Sequence, residues 1–209
     1  MIRILIVDDH PIVREGLRRI IAKADDMVVV GEARNGNEAL SHPRDNLDVV
    51  ILDISMPGLS GLEILSRIKS ENPRISILIL SAYSEDLYAV RTLRAGASGY
   101  LTKESLPNEL LKAIRLASMG KPYISRSLAE KLASETLRRS DRPLHQELSA
   151  REFQVFQMLS AGKTVREISG ELSLGMPSVS TYRARILAKM KMKHVAELIH
   201  FAVRNRLAD

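Results

Sequence analysis

Val49-Val50-Ile51-Leu52-Asp53 is the stretch that most narrows the folds open to this chain. Four apolar residues end abruptly in an acid, and the turn signal Pro57-Gly58 follows. An unbroken apolar run bounded by turn residues suits a strand buried on both faces. Strands of that kind belong to parallel sheets covered by helices. In such sheets, ligands bind in the crevice at the carboxyl ends of the strands, which is where Asp53 falls. A lone acid there serves equally well as a helix cap, so its meaning depends on what else reaches it.

The flanking sequence repeats the pattern. Ile2 to Val7 reads as a strand closed by Asp8-Asp9, and Pro11 opens a helix to about Ala24. Met27 to Val30 is a second strand, and Gly31 to Leu40 a turn with a short helix that Pro43 ends. Leu62, Ile64, Leu65 and Ile68 mark a helix after Asp53, and Ile75 to Leu80 a fourth strand ending at Ser81. A helix through Leu87, Val90 and Leu93 stops near Gly96, Gly99 to Thr102 is a fifth strand ending at Lys103, and a helix runs from Leu106 to Met119. Strict alternation implies a doubly wound five-stranded parallel α/β sheet over residues 1–120. Right-handed crossovers then bring Asp8, Asp9, Asp53, Ser81 and Lys103 to one edge.

Their chemistry is complementary. Carboxylates held together raise one another's pKa unless a cation joins them. A few hard oxygen ligands favour Mg²⁺, commonly shared with a phosphate. With a hydroxyl from Ser81 and a fixed charge from Lys103, the set suits formation of an aspartyl phosphate. His10 and His42 lack partner cysteines or spaced histidines and read as surface or cap residues.

Residues 1–120 resemble the receiver domain of two-component response regulators, through Leu5-Ile6-Val7-Asp8-Asp9-His10, Leu52-Asp53-Ile54-Ser55-Met56-Pro57-Gly58, Leu80-Ser81-Ala82 and Gly99-Tyr100-Leu101-Thr102-Lys103. The resemblance implies a flavodoxin-like fold in which Asp53 takes a phosphoryl group from a sensor histidine kinase. Asp9, Asp53 and the Ser55 carbonyl would hold Mg²⁺, with Asp8 acting partly through water. Ser81 and Tyr100 would form a switch pair, Ser81 turning to the phosphoryl oxygens and Tyr100 moving inward. Taken without the resemblance, Tyr100 reads as an ordinary half-buried strand aromatic. Haloacid-dehalogenase-type phosphatases share these parts but need a second Asp two residues after the nucleophile, where this chain has Ser55. The chain is therefore expected not to be an enzyme beyond slow loss of its own phosphoryl group. Between Leu40 and Asp48 it departs slightly from the family's spacing.

Charge separates the two halves. Residues 1–120 carry 15 Lys+Arg against 16 Asp+Glu, and residues 121–209 carry 16 against 9, a surplus of seven positive charges. A near-neutral module joined to a basic one suggests that the second meets a polyanion. There is no cysteine, no membrane-length apolar run and no signal-peptide pattern, so a cytoplasmic protein is expected.

Gly120-Lys121-Pro122 opens a partly helical linker over residues 121–146. Ser125 or Ser127 caps a helix to Arg139, and Ser140 to Pro143 reads as exposed. Residues 147–209 form a small all-α unit of four helices. Ser149 with Glu152, and Thr164 with Glu167, make capping boxes for the first two. Ser173 to Pro177 is a turn, and further helices follow over Ser178 to Met190 and Val195 to Asn205. In the third helix Val179, Tyr182, Ile186 and Met190 share one side. Ser180, Thr181 and Ala184, flanked by Arg183, Arg185 and Lys189, share the other. Small residues let such a helix approach base edges while the cations neutralise phosphates.

This half is similar to the LuxR-type helix-turn-helix domain of the NarL/FixJ regulators, through Leu148 to Glu152, Ala161-Gly162-Lys163-Thr164, Glu167-Ile168 and Val179 to Met190. The resemblance makes Ser178 to Met190 the recognition helix, with contacts to double-stranded DNA from Lys163, Thr164, Ser178, Ser180, Thr181, Arg183, Ala184, Arg185 and Lys189. It makes the last helix a dimer face for a homodimer formed on phosphorylation. Pro177 stands where the family often has Lys. A protein or RNA partner for the basic half is the competing expectation.

Overall fold

The computed structural model describes residues 1–83, 85–104, 109–137, 144–205 and 207. The chain divides into two compact units, Met1–Ser134 and Glu135–Asp209.

The first unit holds one five-stranded sheet of order β2-β1-β3-β4-β5, with every pairing parallel. The strands are β1 (Ile2–Val7), β2 (Met27–Ala33), β3 (Val49–Asp53), β4 (Ser76–Ser81) and β5 (Gly99–Thr102). Between them lie α1 (Pro11–Ile21), α2 (Gly36–Ser41), α3 (Gly61–Glu71) and α4 (Glu85–Arg94), and α5 (Leu110–Ser118) follows β5. Ile4, Ile6, Val49, Ile51, Leu78, Leu80 and Leu101 join residues of α1 and α5 in one buried cluster. Leu5, Val7, Val50, Leu52, Ile77, Ile79 and Tyr100 are buried as well, and strand alternation sets them on the opposite face. Burial on both faces explains the continuous apolar runs.

The differences from expectation have local causes. The second strand continues through Gly31-Glu32-Ala33, which had read as a turn. A Cβ at Gly31 would meet the His42 ring, Nε2 at 2.0 Å, so a larger residue there would require that side chain to turn away. α2 ends at Ser41, two residues before Pro43, as a proline stop requires. The expected start of the fifth helix at Leu106, and the exposed stretch Ser140 to Pro143, fall outside the described residues.

A further helix, α6 (Arg126–Leu137), follows α5, with Ser125 rather than Ser127 capping it through the Leu128 N–H. The next described element is a short 3₁₀ turn, Leu144–Glu147, within the second unit. Then come α7 (Ala150–Ser160), α8 (Val165–Glu171), α9 (Met176–Lys189) and α10 (Val195–Arg204). Both expected capping boxes form. α9 begins at Met176, so Pro177 lies inside its first turn and not in the preceding loop. Proline is tolerated there because the first helical N–H groups have no partner to lose. Phe153, Phe156, Ile168, Val179, Ile186, Leu198 and Ala202 form the buried centre.

Candidate functional site

β1, β3, β4 and β5 end together and carry the predicted groups to one edge. Asp53, the last residue of β3, is 1% exposed, and so is Asp8 just after β1. Lys103, just after β5, places Nζ 2.8 Å from Asp8 Oδ2 and 2.8 Å from Asp53 Oδ2. The Ser55 N–H donates to Asp53 Oδ1 at 2.9 Å, which fixes the carboxylate plane. Gly61 lets α3 start against this strand end, since a Cβ there would stand 2.4 Å from the Asp53 carbonyl oxygen.

Burial pushes the Asp53 carboxyl above the usual carboxylate range, and Lys103 with the Ser55 N–H offsets only part of that. Burial also works against the Lys103 ammonium, but Asp53 and Asp8 outweigh it and hold its pKa above that of an ordinary lysine. Both directions express one charge balance: the Lys103 ammonium faces two buried carboxylates, with Asp9 beside them. Among the described residues no hydrogen bond of good geometry reaches the buried Asp8 Oδ2 or Asp9 Oδ1, although the Lys103 ammonium faces the first at 2.8 Å and the His10 ring the second at 2.9 Å. Oxygen donors with excess negative charge and unfilled lone pairs are what a hard divalent cation requires. Asp8, Asp9, His10 and Asp53 each offer a ligand atom, all within 4.8 Å of one another.

His10 occupies the cap position of α1, as expected, but its side chain makes no cap bond. Its ring turns to the acids instead, Nδ1 lying 2.9 Å from Asp9 Oδ1. Arg14 was not anticipated at all. It is buried on α1, donates to the Asp8 carbonyl at 2.7 Å and pairs with Glu32 at 3.1 Å. Its only sequence signal is helical spacing from the acids, which does not reveal which way a long side chain turns.

Ser81 and Tyr100 lie together. The Ser81 Oγ accepts the Tyr83 N–H at 3.1 Å. Tyr100 is fully buried, donates to the Tyr83 carbonyl at 2.8 Å, and has its pKa pushed up by that burial. It is therefore already inside the fold and not a half-exposed strand aromatic.

In the second unit, α9 buries Val179 and Ile186, Met190 just after it is buried too, and Ser178, Thr181, Arg183, Ala184 and Arg185 are exposed. Ser180 is half-buried. The Thr181 hydroxyl donates back to the Pro177 carbonyl at 2.9 Å. Thr164 caps α8, and Lys163 pairs with Glu171 at 2.6 Å. Lys189 is engaged more deeply, its Nζ lying 2.6 Å from Glu152 Oε2, where it ties the end of α9 to the start of α7. No helix among the described residues is long and apolar enough to cross a membrane.

Comparison with known proteins agrees with both halves. The response regulator receiver domain family matches residues 4–115, and the luxR family of bacterial regulatory proteins matches residues 146–202. The chain belongs to the response regulators of the NarL/FixJ family, two-component transcription regulators with a receiver domain and a LuxR-type DNA-binding domain. It is 39% identical over 210 residues to response regulator GacA of Pseudomonas protegens, covering 100% of this chain and 99% of that one. It is 37% identical over 212 residues to response regulator UvrY of Escherichia coli K12, covering 100% and 97%. Among solved structures it resembles response regulator ChrA of a heme-sensing two-component system, with 32% identity, TM-score 0.54 and coverage of 99% and 98%. It also resembles a complex of response regulator RcsB with DNA, with 25% identity, TM-score 0.60 and coverage of 97% and 98%.

Proposed function

We propose that Asp53 accepts a phosphoryl group from a phosphohistidine of a sensor kinase and that this modification controls DNA binding by residues 147–209. The observation that carries the reading is Lys103 Nζ held at 2.8 Å from both Asp8 and Asp53, on a carboxylate otherwise shut from solvent. An Asp53 oxygen attacks phosphorus, the phosphorus–nitrogen bond breaks, and the histidine leaves with the electron pair. Lys103 stands beside the forming bond and follows the charge onto a phosphoryl oxygen. The Ser55 N–H holds the attacking carboxylate in place. Asp8, Asp9, Asp53 and the Ser55 carbonyl would hold Mg²⁺, which supplies charge neutralisation of the transferring group. Tyr100 is already buried, so the responding motion falls to Ser81, which exchanges Tyr83 for a phosphoryl oxygen.

With Ser55 and not an acid two residues beyond Asp53, turnover is limited to slow loss of the chain's own phosphoryl group. The functional boundaries are 1–120 for the receiver, 121–146 for the linker and 147–209 for the DNA-binding domain. Contacts to duplex DNA come from Lys163, Thr164, Ser178, Ser180, Thr181, Arg183, Ala184 and Arg185. Lys189 contributes through its field while it anchors α9. The phosphorylated form pairs into a homodimer through α10 and acts in the cytoplasm. Incubation with acetyl phosphate and Mg²⁺ should add one phosphoryl group, read by intact mass. Undiminished addition to Asp53→Ala would refute the acceptor assignment.

A further inference from the structure

The segment after α5 is stitched onto the first unit at two places. Tyr123 donates its N–H to the Ser98 carbonyl at 2.7 Å and bridges Gly99 in parallel, which carries the sheet one position beyond β5. Gly99 permits this approach, because a Cβ there would stand 2.8 Å from the Tyr123 carbonyl oxygen. The Tyr123 side chain then joins the core cluster of α1 and α5.

Two residues on, Ser125 uses its hydroxyl twice. The oxygen accepts the Leu128 N–H at 3.1 Å and so caps α6, while the proton goes to Glu85 Oε2 at 2.6 Å. A hydroxyl can do both at once, and a bond to a carboxylate is the stronger kind. Glu85 is the first residue of α4. Just before it, Tyr83 gives its N–H to Ser81 and takes the Tyr100 hydroxyl on its carbonyl. Tyr83, bonded to the Ser81 hydroxyl, thus stands two positions before Glu85 in the chain, and Glu85 bonds the Ser125 cap of the helix that precedes the basic unit in sequence.

We propose that the Ser125–Glu85 hydrogen bond is the relay by which a phosphoryl group on Asp53 reaches the linker helix. The proposal rests on Asp53 being the acceptor. When the Ser81 side chain rotates to donate its proton to a phosphoryl oxygen, its own oxygen is carried away from the Tyr83 N–H, the start of α4 is freed to shift and Glu85 withdraws from Ser125. The Ser125 cap then loosens and the first turn of α6 opens. Ser125 is a positioning residue: it touches no phosphoryl group and acts through Glu85. The relay has two discrete arrangements, which is what physical coupling between distant sites requires.

The test is hydrogen exchange at the Leu128 amide in the full chain, with and without beryllofluoride and Mg²⁺ as a stand-in for the phosphoryl group. In the wild type, beryllofluoride should speed exchange roughly fivefold, as expected for a weakened N-cap. Glu85→Ala should leave Leu128 insensitive to beryllofluoride, while amides beside Asp53 still respond. Ser125→Ala should exchange fast in both conditions. If Leu128 responds in Glu85→Ala as it does in the wild type, the relay is wrong and the acceptor assignment stands. If no amide beside Asp53 responds in the wild type, the acceptor assignment fails and the relay falls with it.

Discussion

At the scale of single residues, charge left unbalanced marks the working site and charge fully paired marks the scaffold. Asp53 has its pKa raised by burial, so its ionised form is disfavoured in the folded chain. A raised folded-state pKa contributes stability that is present at low pH and lost as pH rises through that value. In chelator at neutral pH, Asp53→Asn should therefore raise the melting temperature. Saturating Mg²⁺ should stabilise the wild type, by about 2.7 kcal/mol at a hundredfold excess over Kd, and the variant much less. Calorimetry in the two buffers checks both signs. Glu152 is the opposite case. Burial alone would raise its pKa, but Lys189 and the Ser149 cap overcome this and hold it below the usual 4.5. A lowered folded-state pKa contributes stability that is present above the unfolded value and lost as pH falls through the folded one. Glu152→Gln should cost about 1–2 kcal/mol at pH 7, discounted for the exposure of Lys189. The gap to the wild type should close as pH drops below 4.5 in paired denaturation curves.

At the scale of elements, the strand ends do the assembling, and glycine decides how close the next element comes. Gly61→Ala would press a methyl group against backbone atoms of Asp53 and Ile54, at 2.4 and 2.5 Å. A loss of about 2–3 kcal/mol is expected, with slower phosphorylation because the Asp53 backbone must shift. Gly170 in α8 meets nothing within 4 Å, so Gly170→Ala should gain about 0.5–1 kcal/mol. Urea titration of the two variants separates a positioning glycine from an incidental one.

The same elements explain what the sequence disclosed. Buried parallel strands must be apolar runs, and each stopped at a residue with conspicuous chemistry, so β1, β3, β4 and β5 and their terminal groups were legible. Pro177 misled because proline suits both a turn and a first helical turn. Arg14 and the Lys189–Glu152 pair were hidden because they depend on where long side chains end, the latter across 37 residues. Tyr100 was visible as a candidate, but its full burial comes from packing that no local pattern encodes.

At the scale of the whole molecule, charge divides as the two units do. The near-neutral first part carries a site whose excess negative charge awaits cations, and the basic second part displays Arg183 and Arg185 on an exposed helix face. Affinity for duplex DNA should fall steeply with salt, by about 0.9 in logarithmic slope per phosphate neutralised. Arg183→Ala or Arg185→Ala should each reduce that slope by about 1, which fluorescence anisotropy across a salt series can read. A slope near zero would turn the assignment of the basic unit toward a protein partner.

The central claim is that a phosphoryl group on Asp53 governs what the basic unit does. It is tested most directly by the DNA affinity of the full chain before and after acetyl phosphate with Mg²⁺, at one fixed salt concentration. The wild type should change affinity by about tenfold, a coupling of roughly 1.4 kcal/mol, and Asp53→Asn should not respond. Equal responses from the two proteins, or no response from a wild type shown by mass to be phosphorylated, would contradict it.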